Sequence, residues 1–309
     1  RTYLNYAEAL DRPDKVEPIA QPQPRPPRAA RPQRLSVTAI EDWLRDPYTI
    51  YAKYILRLAP LDPVDMPLSA ADRGSAIHAA IGEFTATFAT SLPQDSAGLL
   101  RALGEQHFAP LMQRPEARAL WWPRFVRIAD WFADWESERR LNVAEIITEQ
   151  SGQLTIGLDH DRQFVLSARA DRIERRVNGD LVAIDFKSGK APTKKQVAAG
   201  FAPQLTLEAA IIEAGGFEAI EADRVAGAEY VRLLGGSGSG LKSLGSNNKP
   251  FPQLVAEHIE ELRTLLDQFR DPQTPYVPRP YPQFIDEYSD YDHLARVKEW
   301  LTGDEGGGE

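Results

Sequence analysis

Apolar positions along this chain follow two rhythms. In the first half they recur at helical spacing: Ile40, Trp43, Leu44 and Ile50 within 36–58, then Ile77, Ile81, Phe84 and Phe88, then Trp121, Trp122, Phe125, Trp131, Phe132 and Trp135. A stripe recurring every three to four residues marks a helix with one face to bury. Residues 36–58 and 70–142 are therefore expected to be helical, with the tryptophans in the core rather than stacked on a ligand. From residue 143 the rhythm shortens to runs that predict strands over 143–150, 153–159, 162–170, 171–177 and 181–187. A helix opening at Gln204, a strand over 227–234, and helices near 251–270 and 289–302 follow.

Prolines and glycines punctuate this pattern. Residues 1–34, with Gln21-Pro22-Gln23-Pro24-Arg25-Pro26-Pro27, read as a Pro/Arg-rich linker of extended character. The folded body is expected over 35–303, with a helical part (35–142), a sheet core (143–234) and C-terminal helices (250–303). Gly235–Gly240 reads as a flexible loop that lacks the lysine of a phosphate-binding loop, and 304–309 as a disordered tail.

Candidate chemistry begins at the end of the run Leu181-Val182-Ala183-Ile184, with Asp185-Phe186-Lys187. Side chains alternate along a strand, so Asp185 and Lys187 share one face, roughly 6–7 Å apart. Upstream, Asn178-Gly179 marks a hairpin turn after Asp171-Arg172-Ile173. A plain two-residue turn would place Asp171 opposite Phe186, on the wrong face. A three-residue loop, Val177-Asn178-Gly179 with Gly179 left-handed, sets Arg176 opposite Asp180 and Asp171 opposite Asp185, about 5 Å apart and close enough to share a metal ion. His78, in Arg73-Gly74-Ser75-Ala76-Ile77-His78, lies beside a helical apolar stripe. Gly74 and Gly82 one turn to either side are expected to leave a flat groove around its imidazole. Pro203 suits a first helical turn and puts Gln204 at a helix N-terminus, where N–H groups favour anions such as phosphate. Taken singly, each feature has a bland alternative: a solvated ion pair, a packed histidine, an ordinary helix start.

Together these residues resemble the RecB-like branch of the PD-(D/E)xK nucleases. The matching features are a histidine after Arg-Gly, a glutamate (Glu149 or Glu145), Asp171-Arg172-Ile173, Asp185-Phe186-Lys187-Ser188-Gly189 and Gln204-Leu205, in order over residues 70–210. Within that branch the chain is similar to the C-terminal nuclease domains of the AddB subunits of bacterial AddAB helicase–nucleases, which process double-strand DNA ends for recombinational repair. The resemblance implies an α/β (α+β) restriction-endonuclease-like core, with a mixed central sheet flanked by helices and a helical N-terminal layer. It implies Mg²⁺ (or Mn²⁺) held by Asp171, Asp185, the Phe186 carbonyl and His78, with Glu149 adding a carboxylate. Lys187 would stabilise charge or orient water, and Gln204 would position water or phosphate. Arg73, Lys190, Lys194 and Lys195 are candidate DNA contacts. The implied partners are a DNA single strand and an AddA-like helicase–nuclease subunit. Two departures matter. Relatives often carry a tyrosine four residues after the glutamine, where this chain has Glu208. Many also carry a cysteine before Pro47, where this chain has Asp46. With no cysteine anywhere, an iron–sulfur cluster is excluded.

Composition changes the picture little. At 309 residues, 42% apolar and 26% charged, the chain can bury one sizeable core. No apolar run approaches the roughly 20 residues of a membrane helix, and no leader is evident. A cytoplasmic location and, because the chain starts with Arg, an origin as a domain of a longer polypeptide are expected. A net charge of −9 disfavours autonomous duplex wrapping but suits a nuclease supplied with DNA by a helicase. A second basic group, Arg172, Arg175 and Arg176, is either a solvated face or a DNA contact. The alternatives are a free-standing phage-type or CRISPR-associated exonuclease and a catalytically inactive DNA-binding scaffold module.

Overall fold

The computed structural model describes residues 2–10, 19–61, 67–158, 162–235, 238–245, 249–281 and 289–301. The whole of the expected 304–309 tail, and the centre of the Gly235–Gly240 loop, lie outside them. In chain order the helices and strands are α1 (Thr2–Leu10), β1 (Arg34–Ser36), α2 (Val37–Arg45), α3 (Pro47–Ile50), α4 (Ala70–Thr87), α5 (Ser96–Phe108), α6 (Trp122–Arg140), β2 (Val143–Leu158), β3 (Arg162–Arg176), β4 (Leu181–Lys187), α7 (Lys194–Ala198), α8 (Gln204–Glu213), β5 (Val225–Arg232), β6 (Gly240–Ser243), α9 (Phe251–Gln268) and α10 (Val297–Leu301). They sort into two units: residues 32–44 with 61–270, and residues 1–31, 45–60 and 271–309.

The larger unit is a six-stranded mixed sheet in the order β1-β3-β4-β5-β6, with β2 on the other edge of β3. β1 runs parallel to β3 and β5 parallel to β4, while β2–β3, β3–β4 and β5–β6 are antiparallel. A mixed central sheet flanked by helices is thus the architecture. On one sheet face Val182, Ile184, Phe186, Val231 and Leu233 meet Ile77, Ile81 and Phe84 of α4 and Phe125, Ile128 and Phe132 of α6. Phe186 meets Phe132 edge-on at 5.8 Å between ring centroids. Trp121, Trp122, Trp131 and Trp135 pack against this cluster, so the aromatic stripe is core. Full burial of a side chain such as Phe186 contributes about 1.5–3 kcal/mol.

The expected strand breaks within 143–158 and 162–176 are absent. Ser151 pairs with Arg169 and Gly152 with Ala168 without interruption, and the missing side chain of Gly152 admits the Phe217 ring, which a Cβ would meet at 2.7 Å. The 36–58 helix ends at Arg45 because Pro47, with no N–H to give, starts the next one. The helix expected over 289–302 is reduced to Val297–Leu301. β1 and β6 were not expected, being too short to show a pattern.

In the smaller unit the proline stretch is anchored rather than free. Tyr276 N–H donates to the Pro24 carbonyl (2.9 Å), Gln21 Nε2 to Pro278 O (2.6 Å), and Arg31 to the carbonyls of Asp271 and Pro272 (2.9 and 3.0 Å). The Pro24 carbonyl thus finds a donor in the facing segment, and the side chains of Gln21 and Arg31 donate back to carbonyls of that segment.

Candidate active site

The β3–β4 hairpin has the three-residue loop. Arg176 N–H donates to Asp180 O (2.8 Å), Gly179 sits at φ +92°, and pairing runs Arg175↔Leu181 to Arg172↔Ile184. One step further in this register brings Asp171 opposite Asp185. There the ladder changes character: Phe186 N–H donates to the Asp171 carboxylate (3.0 Å) in place of a backbone carbonyl. Along this edge of β3, β4 stops pairing at Arg172 and β1 pairs only up to Ser167. The two carboxylates therefore stand at the mouth of a gap in the sheet.

Asp185 is 5% exposed; its Oδ1 accepts two hydrogen bonds, whereas its Oδ2 is buried with no hydrogen-bond partner among the described residues. Lys187 Nζ lies 3.0 and 2.8 Å from its two oxygens, and Gln204 Nε2 donates to Oδ1 at 2.7 Å. The Gln204 carbonyl oxygen in turn accepts from Lys187 Nζ at 3.2 Å. Asp171 fares differently. Burial, and then the negative charge of Asp185, push its carboxyl up to about 7, against the lowering effect of the Phe186 N–H and Lys187. His78 Nδ1 lies 3.7 Å from Asp171 Oδ2, too far for a hydrogen bond. Burial lowers the His78 pKa, with Asp185 opposing, so the imidazole is neutral at neutral pH and retains a lone pair for a cation.

α4 brings His78 here because its first turn is fixed by a capping box, with Asp72 N–H donating to Ser69 Oγ (3.2 Å) and Ser69 N–H to the Asp72 carboxylate (2.7 Å). The flat groove expected around the imidazole is not present. A Cβ on Gly74 would lie 2.9 Å from Ser188 Oγ, and one on Gly82 would lie 2.7 Å from Glu149 Oε1. The two glycines admit those side chains, so α4 can press against the strand ends. Glu149, at φ +54°, forms an ion pair with Arg169, and its charge acts on both His78 and Asp171. Glu145 instead pairs with Arg175 at 3.5 Å, four residues away along β2, which leaves Glu149 as the glutamate beside the pair.

Gln204 does open a helix, but its N–H donates to Glu41 Oε1 at 3.0 Å. A carboxylate of the chain already holds the place expected for phosphate. Arg73 lies over the Trp121 ring, 5.8 Å from its centroid, and Lys190, Lys194 and Lys195 are exposed after β4. Arg172 is neither solvated nor available to DNA. Wholly buried, it reaches Glu136 (2.9 and 2.7 Å) and Glu174 (2.7 Å). Arg139 and Arg140 close the network through Glu174 and Glu136 at 2.7 and 2.6 Å.

Sequence reasoning missed one site residue. Glu208, one helical turn after Gln204, is 1% exposed, and its Oε1 has no hydrogen-bond partner among the described residues. Burial first, then the charges of Asp185 and Asp171, raise its carboxyl well above the ordinary value. The signal was its position: a carboxylate in the place of a tyrosine, in the middle of a helix whose neighbouring residues are mostly apolar.

Among the described residues no three His, Asp or Glu side chains are gathered tightly enough to cage a metal as they stand. The donor chemistry nevertheless fits one. Two carboxylates beside a neutral imidazole are ligands a hard divalent cation accepts, and the burial and the repulsion by Asp185 that raise Asp171 are what such a cation offsets.

Residues 34–282 match the PD-(D/E)XK nuclease superfamily. Uncharacterized proteins of Rickettsia bellii and Rickettsia typhi are 30% and 29% identical over 186 and 191 residues, 60% of this chain in each case. The chain spans only 22% of the length of either relative. The crystal structure of SSO0001 aligns over 84% of this chain and 83% of its own, at 13% identity and a TM-score of 0.31. No helix among the described residues is long and apolar enough to cross a membrane. With its family matched across most of its length and a paired-carboxylate strand end at its centre, the chain belongs to the PD-(D/E)XK nuclease superfamily.

Proposed function

We propose that this chain is a Mg²⁺-dependent deoxyribonuclease, an exonuclease domain that works within an AddAB-type helicase–nuclease on DNA ends. The observation that carries the nuclease reading is the convergence of Asp171, Asp185, Lys187 and Gln204 on one hydrogen-bonded strand end.

In this reading Asp171 and Asp185, with His78 and the Phe186 carbonyl, hold the divalent ion, which when bound polarises the phosphate and acidifies a water. The chain's own residues do the rest. Lys187 presents an ammonium to the negative charge that grows on the phosphate oxygens. Gln204 keeps Lys187 and Asp185 in register through its amide. Glu149 adds negative charge beside Asp171. Lys190, Lys194 and Lys195 attract the DNA backbone.

The helicase setting is supported by the order of the motifs and by relatives more than four times longer than the matched stretch, which leaves room for other activities in the same polypeptide. A net charge of −9 suits a nuclease that receives its strand at high effective concentration from a partner. The test is cleavage of single-stranded DNA in Mg²⁺ by the wild type and by Asp185→Ala, alone and combined with an AddA-like partner. Loss of cleavage in the variant and stimulation of the wild type by the partner are expected. Wild-type rates in Asp185→Ala would refute the site, and partner-independent activity would refute the helicase setting.

A further inference from the structure

Between the last β4 pair on β3 (Arg172↔Ile184) and the last β1 pair (Ser167↔Ser36), residues 168–171 have no strand partner on that edge among the described residues. At about 3.3 Å per residue this is a window of roughly 13 Å in the sheet. A cavity of about 370 Å³ opens beside it. Its walls carry two guanidinium groups, Arg34 and Arg169, and four hydroxyls, Ser36, Thr38, Ser151 and Ser167. Gln204, whose amide donates to Asp185, also lines it. None of the described residues lining it is acidic or aromatic, although the chain as a whole carries a net charge of −9. The cavity therefore concentrates donors in a protein that has a surplus of acceptors.

We infer that this cleft holds the phosphodiester backbone of the nucleic acid strand beside the bond that is cut; the inference rests on the nuclease reading. Guanidinium groups and hydroxyls grip phosphate oxygens and fix register without reading bases. A wall with no aromatic ring gives bases nothing to stack on, so the bases face away and the grip tolerates any sequence. The spacing also suits a polymer. Asp171, Arg169 and Ser167 follow one another in steps of two residues along β3, about 6.6 Å each, comparable to the separation of successive phosphates in an extended strand. Arg169 is balanced by Glu149. Arg34 is exposed and has no carboxylate partner among the described residues, which makes it the principal cation for a phosphate one or two nucleotides from the site.

The experiment measures binding of fluorescent oligothymidylates in EDTA, across a salt series, by the wild type, Arg34→Ala and Ser151→Asp. Both positions are exposed, so neither substitution threatens the fold; thermal melts confirm this. One oligonucleotide is the shortest that the wild type cleaves in Mg²⁺, the other several nucleotides longer. Arg34→Ala should weaken binding of the longer strand about fivefold to tenfold, reduce the slope of log affinity against log salt by about 0.7, and leave the shorter strand unaffected. Ser151→Asp should weaken the longer strand more. Unchanged affinity and slope for the longer strand would overturn the inference, as would equal losses on both strands. Either result leaves intact a nuclease reading whose own test is Asp185→Ala in Mg²⁺. Conversely, a length-dependent loss with no Mg²⁺-dependent cleavage by the wild type would overturn the nuclease reading and, with it, the placing of a scissile bond beside this cleft.

Discussion

Replacing Asp171 by Asn should make the metal-free protein more stable while abolishing cleavage. Asp171 is raised from 3.8 to about 7 by burial and by Asp185. The folded protein therefore holds this proton more tightly than the unfolded chain does. The stability associated with the group is fully present below pH 3.8 and is lost as pH climbs to about 7. A displacement of about three pH units at about 1.4 kcal/mol per unit sets a ceiling near 4 kcal/mol. The side chain is 26% exposed, and solvent screening reduces the figure to about 2 kcal/mol. Asparagine keeps an oxygen to accept from Phe186 N–H and carries no charge at any pH. For a unit of this size about 2 kcal/mol raises Tm by roughly 4–8 °C. In EDTA the melting curves of variant and wild type should converge near pH 4 and diverge up to about pH 7, with the variant higher. Adding Mg²⁺ should raise the wild type through mass action and leave the variant unmoved. Parallel pH profiles, or a variant that melts lower throughout, would refute the claim that two mutually repelling carboxylates face one another here.

Two further outcomes follow from the buried charges. Arg172→Met should cost about 3–5 kcal/mol, because it leaves Glu136 and Glu174 buried without their shared cation; a chemical denaturation midpoint within error of wild type would contradict the network. Glu208→Gln should fold normally and flatten the fall in stability with rising pH, since the raised Glu208 carboxyl contributes stability below its unfolded value of 4.5 that disappears as it is forced to ionise; a Tm-against-pH curve superimposable on the wild type would show that Glu208 is not held neutral.

Much of this site was legible because β-structure converts counting into geometry. The three-residue loop at Val177-Asn178-Gly179 follows from asking which turn puts Asp171 and Asp185 on one face, and the pairing of Arg175 with Leu181 has that register. The tryptophans read as core because helical spacing gives them a common side. Contacts that depend on which helix lies over which strand were not legible. Arg172, Arg175 and Arg176 look alike in sequence, yet only Arg172 projects beneath α6, where Glu136 waits 36 residues away. Gly74 and Gly82 suggested empty space, and the structure fills it with Ser188 and Glu149. Glu41 closing the α8 N-terminus lies 163 residues from its partner, beyond the reach of any local pattern.

The guanidinium of Arg172 also constrains how this domain can be rebuilt. Asp171 and Arg172 are adjacent, one turned to the carboxylate site and the other to the helical layer, so the peptide that positions the first is clamped by the ions that satisfy the second. A chimera that grafts a foreign α6 onto this sheet, even one with matching apolar residues, would strand the cation unless it also carried an acid at the position of Glu136. Donor sequences for such grafts should be chosen for that acid before the hydrophobic surface is matched. The helical layer and the hairpin are in this sense a single heritable part, divisible only by changing both sides of the ion pair at once.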